Sequence, residues 1–203
     1  MAILGPALSQ CRSFVVDVKY STSLPFLSRY LRGSAEHLRI LKLQCDVDDA
    51  EDVELPSIPE QHAVKFPLLS IAVFDGVTFL DACHIESFTE QFKSLSLSTL
   101  SISNLSVPED EEVDLYTLCG HCQFGFIRHL ILRNINAGYD PGTIDSGQYE
   151  PKVNCVTLIG HDLVFTEEFL LATYGSTFCY WHVGGSGLSE CSVPRPTTSD
   201  WRT

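Results

Sequence analysis

The sequence predicts an α/β fold: an irregular solenoid in which short parallel strands alternate with helices or loops and build one curved sheet. Three observations carry that prediction. The first is a recurring apolar-x-x-apolar-x-apolar pattern: Leu38-Leu41-Leu43, Leu68-Ile71-Val73, Leu97-Leu100-Ile102, Ile127-Leu130-Leu132, Val153-Val156-Leu158 and Phe178-Trp181-Val183. Counted from 38, 68, 97, 127, 153 and 178, the starts lie 30, 29, 30, 26 and 25 residues apart. Scattered apolar runs do not keep such an interval. The second is the alternation inside each copy, which points every other side chain to one face of a strand. The third is the gap between copies, about 20 residues, which suits the crossover that parallel neighbours require. Strand and crossover repeated at a fixed period mean stacked units that bury a shared core.

In chain order, a fainter copy of the pattern, Phe14-Val16-Val18, opens the series. Leu24 to Arg32 places Phe26, Leu27, Tyr30 and Leu31 at helical spacing, with Gly33 behind Arg32 to close the element. Asp46 to Pro59 is polar and reads as a loop. Asp81 to Leu95 reads as one helix, because Ile85, Phe88, Phe92 and Leu95 fall on a single apolar face. Val113 to Cys119 reads as a short helix stopped by Gly120, and Asn136 to Glu150 as a Gly- and Pro-bearing loop. Thr166 to Gly175 has a capping threonine, two glutamates in the first turn and a terminating glycine. Gly184-Gly185-Ser186-Gly187 ends the last strand. Residues 1–190 are expected to form one domain, and 191–203, with Pro194 and Pro196, a flexible tail.

Composition excludes several classes of function. Apolar residues make up 44% of the chain and charged residues 19%, which is enough apolar surface for a core and too little charge for a disordered chain. The net charge of −13 argues against nucleic acid or an anionic membrane as partner, since both select basic surfaces. The first ten residues lack the charged and apolar regions of a signal peptide, and no apolar run is long enough to span a bilayer. A cytoplasmic or nuclear location is therefore expected, with the eight cysteines reduced and mostly packed as small hydrophobes.

The strand segments carry a family resemblance. Leu38-Arg39-Ile40-Leu41-Lys42-Leu43-Gln44-Cys45 resembles the LxxLxLxx(N/C) signature of leucine-rich repeats. His129-Leu130-Ile131-Leu132-Arg133-Asn134 and Phe66-Pro67-Leu68-Leu69-Ser70-Ile71 look like strand starts of the same class. The irregular variety, six to seven repeats of 25–30 residues, is similar to the repeat regions of fungal, basidiomycete-type F-box proteins. Asn104 and Asn134 fall one position early for the asparagine ladder of that class. The F-box itself is expected to be absent: Leu24-Pro25 and Leu55-Pro56 are the Leu-Pro pairs, and neither opens a matching helical module. The resemblance implies a curved sheet whose concave face captures a protein for a ubiquitin ligase, with no catalysis and no cofactor.

On that reading, residues between the inward positions face a partner. The candidates are Lys42, Phe74, Ser101, His129, Arg133, Thr157, Tyr180 and His182. Phe74, Arg133 and Tyr180 are of types enriched at interface hot spots, and Lys42 and Arg133 suit a protein or peptide with acidic groups. Acidic charge gathers instead at Asp46 to Glu54 and Glu109 to Asp114, both after strand motifs and so expected on one rim as solvated loops.

Cys119-Gly120-His121-Cys122 carries the competing chemistry. It resembles the CGHC site of protein disulfide isomerases, which implies Cys119 as attacking thiol and Cys122 as resolving thiol of a thiol–disulfide oxidoreductase. The same three side chains would supply three of the four ligands of a structural zinc, and the nearest second cluster, Cys83-His84, lacks paired spacing. Neither a hydrophobic strand before the motif nor a helix after it is expected, so a turn with packed cysteines is the preferred reading and no metal is assigned.

Overall fold

The computed structural model describes residues 8–27, 33–47, 49, 64–83, 86–106, 126–136, 153–161 and 180–184. The strands are β1 (Ser13–Tyr20), β2 (Gly33–Ser34), β3 (Ile40–Val47), β4 (Val64–Lys65), β5 (Ile71–Asp75), β6 (Ser96–Ser106), β7 (Phe126–Asn136), β8 (Val153–Ile159) and β9 (Tyr180–Gly184). Two α-helices, α1 (Gly76–Cys83) and α2 (Glu86–Ser94), lie between β5 and β6. The large sheet has seven strands in the order β1-β3-β5-β6-β7-β8-β9, while β2 and β4 form a separate two-stranded ribbon. Every neighbouring pair in both sheets is parallel. The chain is thus α/β, with strands of its main sheet laid down side by side in chain order.

Alternation accounts for the core. The register aligns Phe14, Leu41, Ala72, Leu100, Leu130, Val156 and Trp181 in one row, and Val16, Leu43, Phe74, Ile102, Leu132, Leu158 and Val183 in the next. From β3 to β8 the side chains of both rows are buried. One turn earlier, Leu38, Leu69, Leu97, Ile127 and Val153 add a third buried set. Such near-complete burial of aliphatic side chains is the dominant stabilising term, roughly 1.5–3 kcal/mol for each one removed from water.

A repeated β-turn leads into the first three strands. The Leu8 carbonyl accepts from the Cys11 amide, Ala35 from Leu38, and Phe66 from Leu69, each at 3.1 Å. In the third copy Pro67 and Leu68 take the two central positions, where proline's fixed φ suits the first. Leu68 therefore projects outward and is 50% exposed, whereas Leu69 is buried. The β5 motif is Leu69-Ala72-Phe74, one residue later than the spacing of Leu68-Ile71-Val73 suggested. A one-residue slip exchanges the faces of a strand, so Ile71 and Val73 join the solvent side and Phe74 enters the core.

Aromatic side chains back the middle of the sheet. Phe88 and Phe92, four apart on α2, pack edge-on to each other with ring centroids 4.3 Å apart. Phe74 meets both, at 6.2 and 6.4 Å, and Phe88 also meets Phe66 at 5.6 Å. Gln91 Oε1 accepts from the Phe66 amide at 2.6 Å, pinning α2 to the turn before β5. The expected single helix over Asp81 to Leu95 is two: α1 starts directly after β5, and α2 carries the Phe88–Phe92 face. Gly76 makes that abrupt start possible, since a Cβ there would meet the Asn104 carbonyl oxygen and Leu105 Cα at 2.5 Å. Of the expected element over Leu24 to Arg32, Leu24 and Leu27 are buried, and 28–32 lie outside the described residues. The loop expected over Asn136 to Glu150 begins one residue later, because Asn136 ends β7. Residues 137–150, the helices over Val113 to Cys119 and Thr166 to Gly175, Gly185 to Gly187 and the 191–203 tail lie outside the described residues.

Candidate protein-interaction face

The side of the sheet opposite the core presents three rows. The central one reads Val15, Lys42, Val73, Ser101, Ile131, Thr157 and His182. Toward the strand starts lie Ile40, Ile71, Thr99, His129, Cys155 and Tyr180. Toward the strand ends, Ser103, Arg133 and Ile159 are in register across β6, β7 and β8, and Asp17 with Gln44 across β1 and β3. Strand alternation alone accounts for this placement. From β3 to β8 the central row is half-buried, Val15 is 51% exposed, and Arg133 is exposed.

The candidate residues divide on this geometry. Lys42, Ser101 and Thr157 share the central row, His129 sits beside it, and Arg133 stands one row beyond. The strand positions of Tyr180 and His182 continue the rows by backbone register. Phe74 does not belong: its ring is 0% exposed, enclosed by α1 and α2. Val73 takes its place on the solvent face, an exchange that the turn signal Phe66-Pro67 could have revealed, because proline before two adjacent leucines sends the first outward.

Several of these groups already have neighbours. Lys42 Nζ lies 3.7 Å from Asp17 Oδ2, which also accepts from Gln44 Nε2 at 2.9 Å. The His129 Nε2 and Thr157 Oγ1 atoms are 2.8 Å apart, and Ser103 Oγ donates to the Phe74 carbonyl at 3.4 Å. Exposed ion pairs of this kind add little stability, so Lys42 and Asp17 keep charge available to a partner. The face is mixed in character, with aliphatic Ile71, Val73 and Ile131 among hydroxyl and cationic groups.

A second constellation runs along the strand ends, and Asp75 and Gly160 are members of it that no spacing in the sequence singled out. Cys45 Sγ donates to Asp75 Oδ2 at 3.0 Å. Asn104 Nδ2 donates to the same oxygen at 3.5 Å, and Asn134 Nδ2 to Asn104 Oδ1 at 3.2 Å. Asn104 and Asn134 have φ of 56° and 50°, and Gly160 has φ of 74°, a left-handed backbone that asparagine and glycine tolerate best. A Cβ at Gly160 would collide with Asn134 Oδ1. The two asparagines thus join Cys45 and Asp75 in a chain of side-chain hydrogen bonds across β3, β5, β6 and β7. The constellation's members Cys45, Asp75, Asn104, Asn134 and Gly160 are 30, 29, 30 and 26 residues apart, the same period as the strands. Beyond Gly160, the His161 ring places Nε2 3.1 Å from the Leu132 carbonyl oxygen and Nδ1 3.3 Å from that of Ile135.

Of the acidic stretches, Asp49 has a defined role. Its carboxylate accepts from Ser21 Oγ (2.8 Å), the Thr22 amide (3.0 Å) and Thr22 Oγ1 (2.9 Å), tying the strand after-turn Ser21–Ser23 to the end of β3. The Thr22 amide, ahead of an opposing desolvation cost and the two hydroxyls, holds its pKa below the ordinary 3.8. The rest of that stretch beyond Val47, and Glu109 to Asp114, lie outside the described residues.

The described cysteines are not joined in disulfides: Cys45 is buried, and Cys11, Cys83 and Cys155 are partly so. Burial pushes the Cys83 thiol up to about 12, which leaves it protonated and unreactive at neutral pH. Cys119, His121 and Cys122 lie outside the described residues, and among those described no three His, Cys, Asp or Glu side chains gather as metal ligands. No described helix is long and apolar enough to cross a membrane. Set against protein-family models, curated proteins and solved structures, the chain matches none of them.

Proposed function

We propose that this chain is a leucine-rich-repeat solenoid that binds a protein segment along the solvent face of its sheet, in the manner of the substrate-receptor half of an F-box-type ubiquitin ligase adaptor. The observation that carries the reading is the unbroken parallel register from β1 to β9, with one side buried throughout its middle and the other left as a continuous mixed row. The ladder of Cys45, Asp75, Asn104 and Asn134 at the strand period supports the repeat character. Extended sheet faces of this kind are the usual binding surfaces of stacked-repeat proteins. Ile131 and Val73 offer apolar area, while Lys42, His129 and Arg133 favour a segment that carries acidic groups. Binding, rather than catalysis, is the proposed activity, in the cytoplasm or nucleus.

The test is quantitative affinity capture with the triple variant His129→Ala/Ile131→Ala/Arg133→Ala beside wild type and an Arg12→Ala control. Loss of the same protein from the triple variant alone, with an unchanged circular dichroism spectrum, is the expected result. Identical capture by all three refutes the reading. Insulin reduction that disappears in Cys119→Ser would replace it with thiol–disulfide exchange.

A further inference from the structure

The main sheet ends at β1, which pairs with β3 on one side and is the terminal strand of the order. The direction of its backbone groups follows from one bond pair: the Arg12 carbonyl accepts from the Arg39 and Ile40 amides. Peptide groups alternate along a strand, so Phe14, Val16, Val18 and Tyr20 point theirs at β3. Val15, Asp17 and Lys19 point theirs at the other edge, along which no described strand pairs. Edge strands with such free donors and acceptors are templates for another strand, and Val15-Val16-Asp17-Val18 is rich in β-branched residues that favour one.

We infer that β1 is a self-pairing edge, through which two copies of this chain join antiparallel about a twofold axis at Val18. Three features select that arrangement. Centring on Val18 sets Asp17 of one copy opposite Lys19 of the other, twice by symmetry, and opposite charges across a strand pair stabilise it. Centring on Asp17 or on Lys19 instead sets like charges face to face. In the Val18-centred register the outward peptide groups of Asp17 and Lys19 fall in hydrogen-bonded pairs, giving four new backbone bonds. Val18 falls in the close, non-bonded pair, as its inward-turned peptide groups require.

Packing favours the same register. On the core side, Phe14, Val16 and Val18 are only partly covered, and Tyr20 is 40% exposed. Tyr20 of one copy would lie opposite Val16 of the other, extending the core row across the axis. On the solvent side, Asp17 is shared with Gln44 and Lys42, and the Lys19 ammonium stands 5.0 Å from its own Tyr20 ring centroid. Both charges are thus held near the edge. The result would be one continuous sheet with the proposed binding faces of the two copies on the same side.

Sedimentation velocity on the full chain, over a roughly hundredfold range of concentration that spans micromolar Kd values, tests the proposal. Wild type should shift from monomer to dimer. Asp17→Lys and Lys19→Asp should each weaken the dimer by about tenfold or more, because each turns both cross-strand pairs repulsive. The double exchange Asp17→Lys/Lys19→Asp should restore it. On wild type alone, the amides of Asp17 and Lys19 should exchange more slowly as concentration rises, whatever the variants do to the fold. A monomer at every concentration overturns the proposal, as does a dimer indifferent to the single exchanges or one that leaves those two amides unprotected.

Discussion

Val16, Leu43 and Phe74 share one register row, yet the row changes character along its length. At β1, Val16 and Val18 are only partly covered, and Tyr20 is 40% exposed. Two strands on, Phe74 is sealed by Phe79, Phe88 and Phe92 from the helices that follow β5. The residue types are all apolar, so composition does not explain the difference. Position does: a strand buries its inner face only when neighbours flank it and an element caps it. The middle of the sheet has both, and its first strand has neither on its outer side among the described residues.

That contrast is broken most sharply at Phe74. Phe74→Ala should cost about 3–5 kcal/mol, the usual range for emptying a packed aromatic site, whereas Val16→Ala should cost about 1 kcal/mol for half-covered methyl groups. Urea denaturation of the two variants beside Val73→Ala would check the register as well. Val73→Ala should leave stability nearly unchanged, and a large loss there with a small one at Phe74 would show the opposite face to be the core.

The ladder offers a smaller effect. Asn134→Gly keeps the left-handed backbone and removes the bond to Asn104, for a loss of about 0.5–1 kcal/mol. Asn134→Ala should lose roughly 1 kcal/mol more, because alanine resists φ of 50°. Equal losses from the two variants in thermal unfolding would mean that the backbone conformation at Asn134 is unstrained.

Smallest is the tie between β1 and β3 ends made by Asp49. Because its folded pKa lies below the ordinary 3.8, the contribution is fully present above that value and fades as pH falls through the lower, folded one. Protection of the Thr22 amide against hydrogen exchange should therefore drop below about pH 4. In Asp49→Asn that acid-dependent step should vanish.

Legibility in the sequence followed a simple rule. Where apolar residues alternate cleanly with polar ones, as in Leu97-Leu100-Ile102, the inward set was readable, and the common period carried it to Ile127-Leu130-Leu132 although Ile131 interrupts the alternation. The pairing of β6 with β7 then follows from chain order. Where two leucines adjoin, as at Leu68-Leu69, periodicity cannot choose between them, and the decision belongs to the Pro67 turn. The helical stretch Gly76–Cys83 was hidden because Phe88 and Phe92 dominate the pattern, and its abrupt start at Gly76 depends on close approach to β6. Of the ladder, Cys45, Asn104 and Asn134 were legible from their spacing, but Asp75 and Gly160 were not, because thiol, carboxylate, amide and glycine are unlike as residue types. They are alike only in what they do at the end of a strand. Of the candidate binding residues, Lys42, Ser101, His129, Arg133 and Thr157 share a face, and Phe74 was drawn from the one strand whose register was misread.

The order of the large sheet also limits how its parts communicate. Among the described residues, each strand of the large sheet pairs only with its neighbours in the order, so β1 and β7 have no shared neighbour. A disturbance at Asp17 reaches His129 only by relay through β3, β5 and β6, weakening at each step unless a stiff segment passes it on. In that relay β5 has aromatic backing, with Phe74 packed against Phe79, Phe88 and Phe92. In the strand order that strand is the single join between the pair β1-β3 and the run β6 to β9, so the two stretches meet through Phe74 and its neighbours.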